Sequence, residues 1–164
     1  MKPTHDSIRG WFAAALHDEM EKNDKIWLIT ADLGWGMWDS VRDDFPERFV
    51  NVGAAEQEAV GAGIGLALSG KIPFVYSITT FLLFRAFEWH RYINHENIPV
   101  RLVGSGQDDD YKHDGISHQP WEKDDVLVLF PNITPYTPNI KENVPITLRE
   151  MIKRNEPSFI CLRR

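Results

Sequence analysis

The sequence predicts an α/β fold: a three-layer αβα sandwich in which a mainly parallel sheet lies between two layers of helices. Short apolar runs of strand length alternate with longer segments of helical periodicity along the whole chain. Strands that alternate with helices form parallel sheets covered on both faces. No internal repeat and no change of composition marks a linker, and 164 residues suit one domain. Residues 1–164 are therefore predicted to form a single domain.

The first part of the chain predicts two helices and two strands. Residues 7–22 carry apolar side chains at helical spacing, with Ser7 as the N-cap. Residues 26–30 form a short apolar run that is typical of a buried strand. A short helix is expected over residues 38–44, and a second strand over residues 49–52.

The middle of the chain continues the alternation. Residues 55–69 are rich in Ala and Gly, and Gly70 ends the predicted helix. A third strand is predicted over residues 73–78, and a long aromatic helix over residues 80–94. A fourth strand over residues 99–103 leads into a polar loop that extends to His118.

The last part of the chain predicts two more helices and two more strands. The same spacing rules place them at residues 124–130 (short helix), 133–136 (strand), 139–153 (helix) and 158–162 (strand). The predicted sheet therefore has six strands.

Composition excludes several classes of protein. The net charge is −6 and no basic patch offsets it, which argues against nucleic acid as a partner. No run of 18 apolar residues predicts a membrane span, and the first residues lack the apolar stretch of a signal peptide. The single cysteine, Cys161, excludes a disulfide framework and fits a reducing cytosol. We expect a cytoplasmic protein without a membrane partner.

Aromatic residues are unusually frequent for a chain of this size, with six Trp and nine Phe. So many aromatic side chains indicate a large core, an interface or both. Trp35, Trp38, Trp89 and Trp121 are expected to face a cofactor cleft or a partner chain.

Candidate functional residues follow the predicted strands, where parallel sheets bind ligands. Glu56 stands at the start of a helix, among Gly and Ala. Phe81, Phe84 and Phe87 recur at i, i+3 and i+6 of the aromatic helix. Residues 113–120 present Asp and His on a Gly-hinged loop, a common way to contact hydroxyls or move protons. Spacing alone leaves a structural interpretation open for each of the three. The helix dipole favours a glutamate at the start of any helix, and aromatic rings at this spacing also occur in an ordinary core. The loop could be a solvated acidic segment or could bind a metal ion.

Seven segments occur together and in a characteristic order. They are Ala31-Asp-Leu33, Phe45-Pro-Glu-Arg-Phe49, Asn51-Val-Gly-Ala-Ala-Glu-Gln with its continuation to Ala67, Pro73-Phe-Val75, Thr80-Phe81, Asp114-Gly-Ile-Ser-His-Gln-Pro120 and Pro157-Ser-Phe-Ile-Cys-Leu-Arg163. In combination they resemble the pyrimidine-binding domain of transketolase, a module that 1-deoxyxylulose-5-phosphate synthase shares. The resemblance covers nearly the whole chain and implies the thiamine-diphosphate-binding fold.

The resemblance implies thiamine diphosphate as cofactor. Glu56 matches the catalytic glutamate that hydrogen-bonds N1′ of the pyrimidine ring. Phe81, Phe84 and Phe87 match the aromatic rings that flank that ring, although the family often has Tyr at the last position. Asp32 matches an acidic residue near the cofactor at the domain interface.

The resemblance also implies residues for the substrate. Asp114 and His118 match the catalytic pair that contacts the hydroxyls of the donor sugar beside the bond that breaks. Arg163 matches an arginine that binds sugar phosphate, whereas Gly36 stands where the family has a phosphate-binding Ser. A modified ketose or a nucleotide-linked sugar is therefore as compatible with the sequence as a simple sugar phosphate.

A second chain is implied as well. The family binds the diphosphate through Mg²⁺ held by a Gly-Asp-Gly motif and a downstream Asn, and this sequence contains no Gly-Asp-Gly. We therefore expect one half of a split enzyme, whose diphosphate-binding partner subunit brings the Mg²⁺ ligands. The expected assembly is an α2β2 heterotetramer with active sites between chains.

The sequence thus predicts the pyrimidine-binding subunit of a transketolase-like transferase in carbohydrate metabolism. It would transfer a ketol unit from a ketose donor to an aldehyde acceptor, both small molecules, and only together with its partner. Two alternatives stay open: a subunit of a two-component 2-oxoacid decarboxylase or dehydrogenase, and a non-catalytic regulatory partner. Retention of Glu56 argues against the second.

Overall fold

The centre of the molecule is a six-stranded sheet in which every neighbouring pair of strands is parallel. It is seen in a computed structural model that describes residue 3 and residues 5–164. The strands are β1 (Ile26–Thr30), β2 (Phe49–Asn51), β3 (Ile72–Ile78), β4 (Arg101–Ser105), β5 (Thr134–Tyr136) and β6 (Ser158–Leu162). Their order across the sheet is β2-β1-β3-β4-β6-β5. The predicted parallel sheet is confirmed.

Helices cover both faces of this sheet. They are α1 (Ile8–Lys22), α2 (Asp39–Asp44), α3 (Glu56–Leu68), α4 (Thr79–Arg85), α5 (Phe87–His95), α6 (Lys123–Val128) and α7 (Val144–Arg154). Residues of α1, α2 and α7 form one hydrophobic core with the sheet, and residues of α3 to α6 form the other. Leu28 belongs to the first core and its neighbour Ile29 to the second, because successive strand residues point to opposite faces. This is the predicted three-layer arrangement.

Local sequence signals account for the elements that were predicted most closely. The side chain of Ser7 accepts a hydrogen bond from the backbone N–H of Gly10, so α1 begins where its N-cap predicted. β1 and β6 have the predicted bounds, and α3 differs from its prediction by one residue at each end. Short apolar runs between Gly and polar turns were sufficient to define these strands.

The long helix predicted over residues 80–94 is wrong, because the chain forms two helices separated at Ala86. Ala86 has φ −102° and ψ 22°, outside the helical region. The fully buried His90 bonds through Nε2 to the carbonyl oxygen of Leu82 at 2.9 Å, which satisfies a carbonyl near the end of α4. A side chain from α5 therefore stabilises the interruption.

Two further elements begin two or more residues later than predicted. β4 begins at Arg101, two residues later than expected, because its pairing with β3 starts where Arg101 faces Phe74. The helix predicted from residue 139 begins at Val144, directly before Pro145, and a 3₁₀ turn precedes it. Proline is favoured in the first turn of a helix, so its position agrees with the later start.

The strand order positions the site. The chain leaves β1 in one direction to reach β2 and then returns to the other side of β1 to form β3. Loops diverge at such a reversal, and a crevice forms at the carboxyl ends of the strands. Thr30, Asn51 and Ile78 end the three strands that meet there.

The tryptophans divide between the surface and the interior. Trp35 and Trp121 are 68% and 57% exposed. The expectation that Trp38 faces a cleft or a partner is wrong, since it is buried and packs edge-on against Tyr76. Within the part of the chain that the structure describes, no helix combines the length and apolar character needed to cross a membrane.

Candidate functional site

Glu56 is a buried carboxylate at the first position of α3, with only 2% of its surface exposed. The hydroxyl of Ser77, near the end of β3, donates to its Oε1 atom at 2.9 Å. Arg85, the last residue of α4, donates from Nη1 to its Oε2 atom at 2.8 Å. Each carboxylate oxygen therefore has a partner, as a buried charge requires.

The loop before α3 makes room for this carboxylate. Gly53 has φ +75°, a conformation that favours glycine, and it turns the chain sharply after β2. The small residues Ala54 and Ala55 follow. An open depression of about 670 Å³ lies beside them, lined by Ala54, Ala55, Glu56, Gln57, Glu58 and Arg85. A ligand in this depression would meet the buried carboxylate.

Phe81 connects Glu56 to the second part of the site. The guanidinium carbon of Arg85 lies 3.7 Å from the centre of the Phe81 ring, a close cation–π contact. The ring of His118 meets Phe81 edge-on, with the ring centres 4.7 Å apart. The structure thus brings together four side chains from three segments: Glu56, Phe81, Arg85 and His118.

The other two predicted aromatic residues lie differently. Phe84 is 44% exposed on α4. Phe87 begins α5, beyond the break at Ala86, and packs edge-on against Phe130 with a centre distance of 5.1 Å. The i, i+3, i+6 pattern therefore does not produce one continuous aromatic stripe.

The loop that carries His118 is anchored at several points. Thr80 donates to the carbonyl oxygen of Ser117 at 2.7 Å. Tyr111 packs beside His118, with ring centres 6.1 Å apart. Nη1 of Arg9 donates to the Tyr111 hydroxyl at 2.9 Å. The hydroxyl of Ser105 lies 2.8 Å from the same oxygen. These contacts hold the imidazole ring at the carboxyl end of β4.

Asp114 occupies the same loop but a different environment. It is exposed in a 3₁₀ turn that ends at Gly115, where φ is +82°. Among the residues that the structure describes, no side-chain hydrogen bond joins it to His118, whose Nδ1 lies 3.0 Å from the hydroxyl of Ser117. Both side chains belong to one loop at the mouth of the site.

Asp32 lies at the end of β1 and is tied to the end of β2. Its backbone N–H donates to Oδ1 of Asn51 at 3.0 Å, and Nδ2 of Asn51 donates back to its carboxylate at 3.2 Å. The N–H of Gly53 also donates to Oδ1 of Asn51. Asn51 thereby joins the strand ends and the turn that leads to Glu56.

Arg163 is engaged with the acidic loop. Its Nη2 atom is 3.3 Å from Asp110 and 3.8 Å from Asp108, and the backbone N–H of Arg164 also donates to Asp110. Asp108 and Asp110 thus pair with a cation of the chain. The substrate-binding role of Arg163 stays a prediction.

One group in the described part of the chain could share a metal ion, and it lies elsewhere. His17, Asp18 and Glu21 on α1 have ligand atoms within 4.8 Å of one another. Their helix packs on the face of the sheet opposite to α3. This group is therefore separate from Glu56.

Sequence reasoning missed Ser77, Arg85, Tyr111 and Asn51. A signal existed for Arg85, because it follows Phe81 by four residues and such pairs meet on one side of a helix. Ser77 could have been found as a polar residue near the carboxyl end of an apolar strand. Tyr111 and Asn51 carry no comparable signal, since their partners are set by the sheet order.

Comparisons with known proteins identify the family of this chain. A family model described as "Transketolase, pyrimidine binding domain" matches residues 6–164. The 1-deoxy-D-xylulose-5-phosphate synthase of Clostridium botulinum strain Alaska E43 is 32% identical over 166 residues, which cover 97% of this chain and 26% of that protein. A 6-deoxy-6-sulfo-D-fructose transketolase subunit of Clostridium sp. strain MSTE9 is 27% identical, over 96% of this chain and 49% of that protein.

A solved structure is similar as well. It is described as a split gene transketolase, an inactive beta4 tetramer. It superposes with a TM-score of 0.82 and 28% identity, over 96% of this chain and 51% of that one. This chain thus spans about half the length of that protein and of the sulfofructose relative.

Proposed function

The chain belongs to the transketolase pyrimidine-binding domain family, and on that basis we propose that it is the pyrimidine-binding subunit of a split, thiamine-diphosphate-dependent transketolase. The observation that carries the proposal is Glu56. It is a buried carboxylate, held by Ser77 and Arg85, beside an open depression of about 670 Å³. The reaction we propose is transfer of a ketol unit from a ketose to an aldehyde.

The residues beside Glu56 fit the aminopyrimidine half of the cofactor. A pyrimidine ring needs a hydrogen-bond partner at N1′ and flat apolar contacts on its faces. Glu56 offers the first, and Phe81 and the exposed Phe84 offer the second. Thiamine diphosphate, when bound, supplies a carbon nucleophile that breaks and forms carbon–carbon bonds beside a carbonyl group. Glu56 would share a proton at N1′, and Ser77 would keep the carboxylate oriented during this exchange.

His118 and Asp114 are the groups that we assign to the donor sugar. Nδ1 of His118 is engaged with the Ser117 hydroxyl, which leaves Nε2 to bond to a hydroxyl of the ketose. The exposed Asp114 carboxylate can accept from a neighbouring hydroxyl. A histidine and a carboxylate at the mouth of a cleft are suited to orient a polyol and to move a proton at a hydroxyl oxygen.

The proposal includes a diphosphate-binding partner subunit. The related sulfofructose transketolase is a subunit by its description, and a structural neighbour is a split gene transketolase. The partner would hold the diphosphate and its Mg²⁺, and two copies of each chain would form an α2β2 assembly. The exposed Trp35, Trp121 and Phe84 support a surface that another chain covers.

The donor is proposed to be a ketose with an anionic terminal group. The sulfofructose relative acts on a ketose that carries a sulfonate, by its description. Arginine side chains bind sulfonate and phosphate groups through paired hydrogen bonds. Arg163 and the half-buried Arg9 lie at the carboxyl end of the sheet, near the His118 loop, where such a group would reach.

Reconstitution with a partner tests the proposal. The chain is produced alone and together with a candidate partner that contains Gly-Asp-Gly followed by Asn, and each sample is titrated with thiamine diphosphate and Mg²⁺ by calorimetry. We expect tight binding to the complex and weak binding to the isolated chain. The complex is then offered ketose phosphates, a sulfo-ketose and 2-oxoacids.

Turnover of a ketose supports ketol transfer. Turnover of 2-oxoacids alone assigns the chain to the decarboxylase or dehydrogenase class instead. A complex that binds the cofactor and turns over none of these donors favours a non-catalytic partner. Micromolar or tighter binding to the isolated chain contradicts the split site.

A further inference from the structure

Arg85 makes both of the contacts that the proposed function assigns to the pyrimidine ring. Its Nη1 donates to the Glu56 carboxylate at 2.8 Å, and its guanidinium lies 3.7 Å from the centre of the Phe81 ring. A guanidinium is a flat N–C–N unit with donors in its plane. An aminopyrimidine presents a similar flat edge to a carboxylate. The arginine therefore resembles the ring in shape and in hydrogen bonding.

We propose that Arg85 occupies the pyrimidine position while the cofactor is absent and that thiamine diphosphate displaces it. This inference rests on the proposed function. Arg85 is then an internal competitor that satisfies the Glu56 charge in the empty subunit. Ser77 is the permanent partner of the carboxylate, because its bond to Oε1 lies on the buried side.

The position of Arg85 permits the displacement. It is the last residue of α4, and Ala86 after it is outside the helical conformation. Its side chain is 48% exposed, whereas that of Glu56 is 2% exposed. A long side chain at a helix end can therefore turn toward solvent while the carboxylate stays in place.

The strength of the two contacts sets the size of the effect. A half-exposed ion pair and a cation–π contact together change an equilibrium constant by roughly three- to thirtyfold. Removal of Arg85 should therefore tighten cofactor binding to the two-chain complex by an amount in this range. A residue that only supported the fold or the bound ring would change affinity in the opposite direction.

The test measures the Kd of thiamine diphosphate for the complex with Mg²⁺, using the wild-type chain, Arg85→Ala and Arg85→Lys. Arg85→Ala should bind about three- to thirtyfold more tightly. Arg85→Lys, which keeps the charge but loses the flat group, should lie between the two. Arg154→Ala is the matched control: its side chain is 45% exposed and ion-paired with Glu150 and Glu156, and its Kd should stay within twofold of wild type.

A second measurement follows the displacement itself. In a complex with ¹⁵N-arginine, the Arg85 side-chain resonance is assigned by its absence in Arg85→Ala. Saturation with cofactor should move this resonance to the position of solvent-exposed arginines. This readout needs no turnover.

The outcomes separate this inference from the proposed function. If the wild-type complex binds no thiamine diphosphate, the proposed function fails and the inference fails with it. If the wild type binds but Arg85→Ala binds equally or more weakly, or if the resonance does not move, only the inference is overturned.

Discussion

At the scale of single residues, the site depends on how a buried carboxylate is paired and oriented. Glu56 has one neutral partner from a strand and one cationic partner from a helix end. Hydrogen bonds to charged groups are stronger than those between neutral groups, and a buried charge left unpaired is costly. The two partners are therefore expected to differ in role: Ser77 for orientation and Arg85 for charge.

Glu56→Gln should abolish turnover in the reconstituted complex and leave assembly intact. The amide has the same shape as the carboxylate but cannot share a proton with N1′. Loss of a proton-transfer group lowers rates by about 10²- to 10⁴-fold. Steady-state kinetics on the purified complex measures the change, and a kcat close to wild type would show that the role assigned to Glu56 is wrong.

Ser77→Ala should destabilise the isolated chain by about 1–3 kcal/mol, because the buried carboxylate loses a hydrogen bond to a charged group. Urea unfolding followed by tryptophan fluorescence measures the difference. Ser69→Ala is the control, since Ser69 is exposed and its hydroxyl bonds only within its own helix end. That substitution should change stability by no more than about 0.5 kcal/mol. Equal effects of the two substitutions would contradict a special role for the Ser77 bond.

At the scale of elements, the break between α4 and α5 places the side chains of the candidate site. It ends α4 at Arg85 and starts a new helix at Phe87, so the ring of Phe87 packs on Phe130 and not beside Phe81. His90 holds the break through its bond to Leu82. Burial lowers the pKa of His90 to about 4, and the bond to the Leu82 carbonyl opposes part of that shift.

The stability of the fold should consequently depend on the protonation of His90. The pKa of His90 is lower in the folded state than in the unfolded chain, where it has its ordinary value of about 6.5. Between about pH 6.5 and pH 4, the unfolded chain therefore binds the proton more readily than the folded one. The contribution to stability is complete above about pH 6.5 and is lost as the pH falls toward 4. We expect a loss of about 2 kcal/mol between pH 7.5 and pH 5 from this group.

His90→Gln keeps a donor for the Leu82 carbonyl but removes the titration. Urea unfolding at pH 7.5 and pH 5 should show a smaller loss of stability for this variant than for the wild type. His95→Gln, on an exposed histidine of the same helix, serves as the control and should follow the wild type. Parallel pH profiles for all three proteins would contradict the assignment.

At the scale of the whole molecule, the two cores are filled and several large apolar side chains are still exposed. Trp35, Phe84, Tyr92 and Trp121 are each more than two-fifths exposed. Aromatic residues are enriched at the centres of protein interfaces. Trp35, Phe84 and Trp121 come from the segments at the carboxyl edge of the sheet, where the cofactor cleft is proposed.

Co-expression with the partner should yield an assembly of two copies of each chain. An obligate interface commonly buries more than about 2,000 Å², enough to cover such aromatic side chains. Light scattering of the purified complex measures the mass. A soluble monomer whose mass is unchanged by the partner would contradict the proposed assembly.

The chain's own sequence determined the fold class and predicted where the candidate site lies. Alternating apolar runs and helical periods are local patterns, and they defined β1, β6 and α1 almost to the residue. The order of the motifs placed Glu56 and His118 after strand ends, where parallel sheets bind ligands. These features depend on neighbours within a few residues, so the sequence displays them directly.

Only the tertiary structure decided which side chains meet. Ser77 and Arg85 are 21 and 29 residues from Glu56, and Arg9 is 102 residues from Tyr111. Trp35 is exposed and Trp38 is buried although they are only three positions apart in the chain. The residue type shows that a side chain is apolar, and the periodicity indicates which element carries it. Its partners depend on the order in which distant strands join the sheet, because that order sets which strand ends and helix ends become neighbours.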